Sequence, residues 1–225
     1  TALRENYEYI RRTVGGPVCA VVKADAYGHG DNVIARVLQE AGAAGFAVSS
    51  LGEGRHLRRG GITTPILILG YADPTYAAVL AANDLITTCY STEYAQALSA
   101  AAVKAGVKVK VHLKIDTGMG RYGFLPEEME KITPVYHYMD TIHVTGIYTH
   151  LHSAFCDKKA TKAQIESFGR VLAALREAGI EPGMAHILNS SGVLHFSGAA
   201  MDAVRVGSAL LGRVHGGHGL KRVGY

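Results

Sequence analysis

The chain has 225 residues, 48% of them apolar, and a formal net charge of +4 with acids and bases mixed along its length. That length suits one large domain with a substantial core, and so small and dispersed a charge argues against a nucleic-acid-binding surface. Cys19, Cys89 and Cys156 form no CxxC pair, so neither a disulfide framework nor a thiolate metal site is expected, and a reducing cytoplasm fits.

The elements alternate. Residues 2–14 place Leu3, Tyr7, Ile10 and Val14 on one helical face. A first strand follows at 18–22. Asp31 is expected to cap a helix whose Val33, Ile34, Val37, Leu38 and Ala41 share a stripe, with Gly42 ending it. "GFAVSS" (45–50) reads as a second strand, with a short helix over 53–59, and "PILILG" (65–70) as a third. Asp73 and Pro74 make an N-cap and first-turn pair. "LITTCYS" (85–91) is a fourth strand, and Ser91 caps an alanine-rich helix to Ala105. "VKVKVHLKID" (107–116) is a fifth strand and "VTGIYTH" (144–150) a sixth, followed by a helix bearing Ile165, Phe168, Leu172 and Leu175. "MAHILNS" (184–190) and "AVRVG" (203–207) complete eight. No apolar run is long enough to span a membrane, and no basic-then-apolar signal segment opens the sequence.

Eight strands mostly separated by helices predict an α/β chain of the (β/α)8 TIM-barrel class over residues 1–212, with a doubly wound open sheet as the alternative. Residues 213–225 read as a tail leading toward a further domain.

The barrel reading orders the polar residues, because chemistry in this fold sits at the C-terminal ends of the strands. Lys23 ends the first strand without a polar lead-in, and a lysine is rarely buried without a partner. Lys114 and Asp116 end the fifth, with Arg121 beyond; His150 ends the sixth, Asn189 and Ser190 the seventh, and Arg205, Gly207 and Ser208 the eighth. Polar residues also gather wherever strands stop, but that does not account for Lys23 or Arg205 among apolar neighbours. "NSSG" (189–192) and "VGSALLG" (206–212) offer a hydroxyl, a helix start and backbone N–H groups that can cradle a phosphate. A lysine facing such a seat suggests pyridoxal phosphate.

These segments resemble the barrel domain of the alanine racemase family. "AVVKADAYGHG" (20–30) is close to the family's cofactor-lysine signature, and "HLKIDTGMGRYGF" (112–124), "YTHLHSA" (148–154), "LNSSG" (188–192) and "VRVGSALLG" (204–212) follow in the family's order. The resemblance implies that Lys23 binds pyridoxal 5'-phosphate as a Schiff base and serves as one of two catalytic bases. It implies that Tyr27, Asn189, Ser190 and the backbone at Gly207 and Ser208 hold the cofactor, chiefly its phosphate. Arg205 would bond the ring nitrogen and leave it unprotonated, since Arg stays charged. His150 would support Arg205, and Arg121 would contact the cofactor's phenolic oxygen and the substrate carboxylate. Lys114 beside Arg121 juxtaposes two cations unless Lys114 is carbamylated, as in some family members. The family's second base, a tyrosine, comes from a C-terminal β-domain of the other subunit in a homodimer, and that domain is expected to be absent from this chain. The implied activity is interconversion of L- and D-alanine, supplying D-alanine for peptidoglycan in the cytoplasm.

Other readings stay open. The substrate could be serine, and the barrel could bind cofactor without turnover for want of a second base. "GMGRYG" (118–123) is literally GxGxxG, but it follows the fifth strand and Pro126 comes at once, so an NAD(P) oxidoreductase is the weaker reading. "HLH" (150–152) and "HGGH" (215–218) lack a carboxylate or cysteine companion, so solvated or structural histidines are the default and no metal is expected.

Overall fold

Apolar runs and amphipathic stretches alternate along the chain, and the computed structural model turns them into strands and helices in that order. The structure describes residues 1–137, 139–214 and 219–224. In chain order the elements are α1 (Ala2–Val14), β1 (Val18–Val21), α2 (Lys23–Gly28), α3 (Asp31–Glu40), β2 (Gly45–Val48), α4 (Leu51–Arg59) and β3 (Ile66–Ile68). Then come a 3-10 turn at Pro74–Tyr76, α5 (Ala77–Ala82), β4 (Leu85–Cys89), α6 (Thr92–Ala105), β5 (Val109–Lys114), α7 (Met129–His137), β6 (Ile142–Tyr148) and α8 (Lys158–Glu177). The last are β7 (Met184–His186), α9 (Ser190–Phe196), a 3-10 turn at Ser197–Ala199 and β8 (Val204–Val206).

Two compact units divide the chain: Thr1–Gly70 with His186–Tyr225, and Tyr71–Ala185. In the first unit the strand order is β3-β2-β1-β8, all parallel, with Cys19 of β1 opposite both Gly45 of β2 and Arg205 of β8. Val18, Ala20, Phe46, Ala47, Ile66 and Val206 are buried, which is why these strands read as continuous apolar runs. In the second unit β4, β5 and β6 are parallel neighbours, with a register shift at Val111/His112. The pairs β1–β2, β1–β8, β2–β3, β4–β5 and β5–β6 are all parallel, and the strands alternate with helices as the (β/α)8 class requires.

Local signals place several elements where expected. Helix α1 covers the expected span, buries Leu3, Tyr7 and Ile10, and ends on Gly15 in the left-handed region. Ser91 caps α6 by accepting the Tyr94 N–H at 3.2 Å, and Asp73 accepts the Thr75 N–H at 2.9 Å. Other expectations change. Asp31 is not an N-cap but the first helical residue after Gly30, and its own N–H donates to Asp25 Oδ1 at 2.9 Å. Strand β6 starts earlier than expected and stops at Tyr148, so His150 lies in the following loop. Helix α8 buries Gln164 beside Phe168, Leu172 and Leu175, while Ile165 is only half-buried. Helix α7 has no counterpart in the sequence reading because Pro134, a strong local breaker, sits inside it.

The least expected element is α2. Ala24, Asp25, Ala26 and Tyr27 have φ of 51°, 53°, 51° and 57°, a left-handed turn built without glycine. Each such residue costs about 1–2 kcal/mol relative to right-handed backbone, so the turn persists only where its surroundings over-determine it.

Candidate active site

The first unit assembles most of the residues the sequence singled out. Lys23 sits two residues beyond β1 and opens the left-handed turn. It is half-buried, and its ammonium has no hydrogen-bond or ion-pair partner among the described residues. The turn carries Tyr27 to Gly207, just past β8, so closely that a Cβ on Gly207 would lie 2.3 Å from the Tyr27 hydroxyl and 2.9 Å from its ring. Only glycine fits there. Burial raises the Tyr27 phenol above its ordinary pKa.

Ser190, at the start of α9, accepts two backbone donors on its Oγ: Gly207 N–H at 3.1 Å and Ala209 N–H at 3.2 Å. The Ser208 N–H between them and the Tyr27 hydroxyl have no hydrogen-bond partner among the described residues. Asn189 caps α9 by accepting the Gly192 N–H at 2.9 Å. A hydroxyl pair, a run of backbone donors and a glycine that lets them close together suit a phosphate, and the adjacent amine suits a carbonyl-bearing cofactor.

Arg205 lies in the middle of β8, only 3% exposed. Its Nη1 donates to His186 Nδ1 at 2.7 Å and to the His186 carbonyl at 3.0 Å. A guanidinium can only donate, so the network assigns His186 Nδ1 as an acceptor without a proton. Burial pushes the neighbouring Cys19 thiol up to about 12, with the Arg205 charge opposing. The sequence reading missed His186. The available signal was a polar ring inside an apolar strand, the same irregularity that marked Lys23.

The second unit holds the remaining candidates. Lys114 ends β5 fully buried, donates to the Ile115 carbonyl at 2.8 Å, and stands 5.6 Å from the Tyr122 ring and 5.9 Å from the Tyr148 ring. Arg121 is exposed and its guanidinium lies 5.8 Å from the same Tyr122 ring, so two cations contact one aromatic ring. Tyr122 was not singled out from sequence. The GxGxxG match forms a loop closed on a carboxylate rather than a strand-to-helix turn: Asp116 accepts the N–H groups of Gly118, Gly120 and Arg121 at 3.0, 3.1 and 3.0 Å. His150 follows β6 half-buried, and Gln164 of α8 holds its loop, donating to the His150 carbonyl at 3.1 Å and accepting the His152 N–H at 3.0 Å. "HGGH" lies outside the described residues.

Burial works against ionised Asp116, but its three backbone donors and the Lys114 charge outweigh it and hold the carboxyl below its ordinary value. The folded chain therefore binds this proton less readily than the unfolded one. The stabilisation is complete above the unfolded value of about 4 and is lost as pH falls through the lower folded value. Asp116→Asn is expected to flatten the acid limb of the unfolding midpoint against pH. An unaltered limb would assign it to other groups.

Comparison with known proteins follows the same lines. The model of the alanine racemase N-terminal domain matches residues 1–214. The alanine racemase of Desulfovibrio desulfuricans is 39% identical over 217 residues, covering 94% of this chain and 58% of that protein. That of Desulforamulus reducens is 41% identical over 216 residues, again with 94% and 58% covered. Among solved structures, alanine racemase of Clostridium difficile 630 in complex with cycloserine superposes with a TM-score of 0.90 at 33% identity, covering 96% of this chain and 62% of that one. A histidine racemase from Leuconostoc mesenteroides gives 0.88 at 27% identity, over 100% and 60%. The chain thus spans about 58% of the length of the curated relatives it matches. With strands alternating with helices, a lysine just past the first of them and a family model that runs over residues 1–214, this chain belongs to the alanine racemase N-terminal domain family.

Proposed function

We propose that the protein containing this chain is a pyridoxal-phosphate-dependent racemase that interconverts L- and D-alanine. The observation that carries this reading is the unpartnered Lys23 ammonium beside the Tyr27–Gly207–Ser190 cradle. Bound through Lys23, pyridoxal phosphate supplies an electron sink that acidifies the substrate α-carbon.

This chain's residues do the rest. Tyr27 Oη, Ser190 Oγ and the N–H groups of Gly207 and Ser208 would hold the phosphate, with Asn189 capping the helix that presents Ser190. Arg205 would hold the ring nitrogen and, staying charged, leave it unprotonated. His186 orients the guanidinium by accepting one of its bonds, and His150 would serve as a further cofactor-side residue. Arg121 would take the phenolic oxygen and the substrate carboxylate. Carbamylation of Lys114 would turn its repulsion with Arg121 across Tyr122 into attraction. The Lys23 amine removes or returns the α-proton on one face. One base does not serve both faces, so a tyrosine from the C-terminal domain of the second subunit in a homodimer completes the pair.

The product D-alanine would serve peptidoglycan synthesis in the cytoplasm. Serine, one hydroxyl larger, is the next substrate to compare. The test is chiral chromatography of L-alanine incubated with the full-length protein and pyridoxal phosphate, beside borohydride reduction and peptide mapping. Racemisation with a pyridoxyl adduct on Lys23 supports the reading. An adduct without turnover supports a cofactor-binding barrel, and no adduct overturns both.

A further inference from the structure

The left-handed turn raises a mechanical question, since Ala24 and Asp25 are exposed and packing does little to hold them. Within the turn, the Ala26 N–H donates to the Val22 carbonyl at 2.9 Å and the His29 N–H to the Asp25 carbonyl at 2.9 Å. The Ala24 N–H, on the peptide directly after Lys23, finds its acceptor in Glu53, whose Oε1 lies 2.9 Å away.

Glu53 belongs to α4, and its other contacts fix where that carboxylate stands. Its Oε2 accepts the Ser49 N–H at 2.5 Å, and Oε1 is 3.4 Å from the Ser49 hydroxyl. Ser49 directly follows β2, which pairs with β1, and the Val22 N–H already bonds the Ala47 carbonyl at 2.9 Å. One carboxylate therefore ties the end of β2 to the first peptide of the turn that follows β1.

The local sequence underlines the departure. Ser50 caps α4 by accepting the Glu53 N–H at 3.2 Å, which opens a Ser-x-x-Glu capping box. In such a box the Glu side chain returns to the N–H of the capping residue itself. Here it bypasses Ser50 and bonds Ser49 and Ala24 instead. Its hydrogen-bonding capacity is committed to the end of β2 and the Lys23 turn rather than to its own helix.

Resting on the racemase reading, we propose that Glu53 is a positioning residue for Lys23: by holding the Ala24 peptide it keeps the left-handed turn formed and the Lys23 amine aimed at the cofactor carbonyl. The Glu53 carboxylate is engaged by Ser49 and the Ala24 peptide. It acts through one peptide plane, so its loss alters the readiness of Lys23 to form the carbon–nitrogen bond to the aldehyde, with loss of water, without removing any reacting group.

The experiment uses the full-length protein with Glu53→Ala and Glu53→Gln. In cofactor-free protein, amide exchange over residues 24–28 is expected to rise about 10- to 100-fold in Glu53→Ala, in line with loss of a bond to a charged acceptor, while exchange in β4, β5 and β6 is unaltered. On adding pyridoxal phosphate, borohydride-trapped adduct on Lys23 should form more slowly by a similar factor. Glu53→Gln, which keeps one acceptor oxygen and loses the other, should fall between wild type and alanine in both measurements. Wild-type exchange and trapping rates in both variants would overturn the proposal, and so would a rise in exchange throughout the chain, which would make Glu53 a general stabiliser. Absence of any Lys23 adduct in the wild type would instead bring down the racemase reading, and the role of Glu53 with it.

Discussion

Lys23→Ala is expected to abolish the borohydride-trappable adduct and to lower alanine racemisation by at least about 10²–10⁴-fold, the usual worth of one positioned acid–base group. The loss should exceed that range, because the same amine also anchors the cofactor. Lys23 is placed for both tasks by its backbone: β1 ends on Val21, Val22 bonds back to β2, and the chain then turns left-handed. Added methylamine should restore part of the rate in the variant, because a free amine can replace a missing base but not a collapsed fold. Peptide mapping of the reduced wild type decides the assignment, and a pyridoxyl group on Lys114 would refute it.

Gly207→Ala should weaken pyridoxal phosphate binding roughly 10- to 150-fold, the equivalent of one hydrogen bond to a charged group. The added Cβ would lie 2.3 Å from the Tyr27 hydroxyl, so the ring must leave its seat. Room for that Cβ comes only from moving the Tyr27 ring, which carries its hydroxyl away from the cradle. The substitution thus removes the phenolic donor and disturbs the Gly207 N–H bond to Ser190 together. Tyr27→Phe alone should cost less, since it keeps the ring in place and loses only the hydroxyl. Combining the two changes should be little worse than Gly207→Ala, because both act through the same side chain. Fluorescence titration of the cofactor measures all three. Additive losses would show that Gly207 and Tyr27 act separately.

The fold was largely legible in the sequence. Strand and helix order followed from period-2 and period-3.6 patterns, and the extent of α1 and the caps at Ser91 and Asp73 followed from local chemistry. As candidates, Lys23 and Arg205 were legible because each is a cation among apolar neighbours, and Ser190 and Gly207 because small residues after a strand can cradle an anion, whereas Tyr27 entered only through the family resemblance of its segment. Periodicity reports which face is buried and caps report where an element starts, and both are properties of near neighbours in the chain.

What only the tertiary structure decided depends on partners far apart in sequence. Glu53 meets the Ala24 peptide across 29 residues and His186 meets Arg205 across 19, and no window of the sequence contains either pair with its geometry. Gln164 is buried where the stripe called for Ile165, because its amide has hydrogen-bonding partners in the β6 loop that outweigh the burial preference. The left-handed run at residues 24–27 contradicts the local preference of alanine and tyrosine. Such a conformation needs partners beyond its own residues, as Glu53 provides at Ala24 from 29 positions away, while Asp25 inside the turn accepts the Asp31 N–H just beyond it. The sequence by itself therefore determined the order of elements and the chemical groups at their ends, whereas the orientation of those groups was decided by long-range hydrogen bonds that local propensity does not encode.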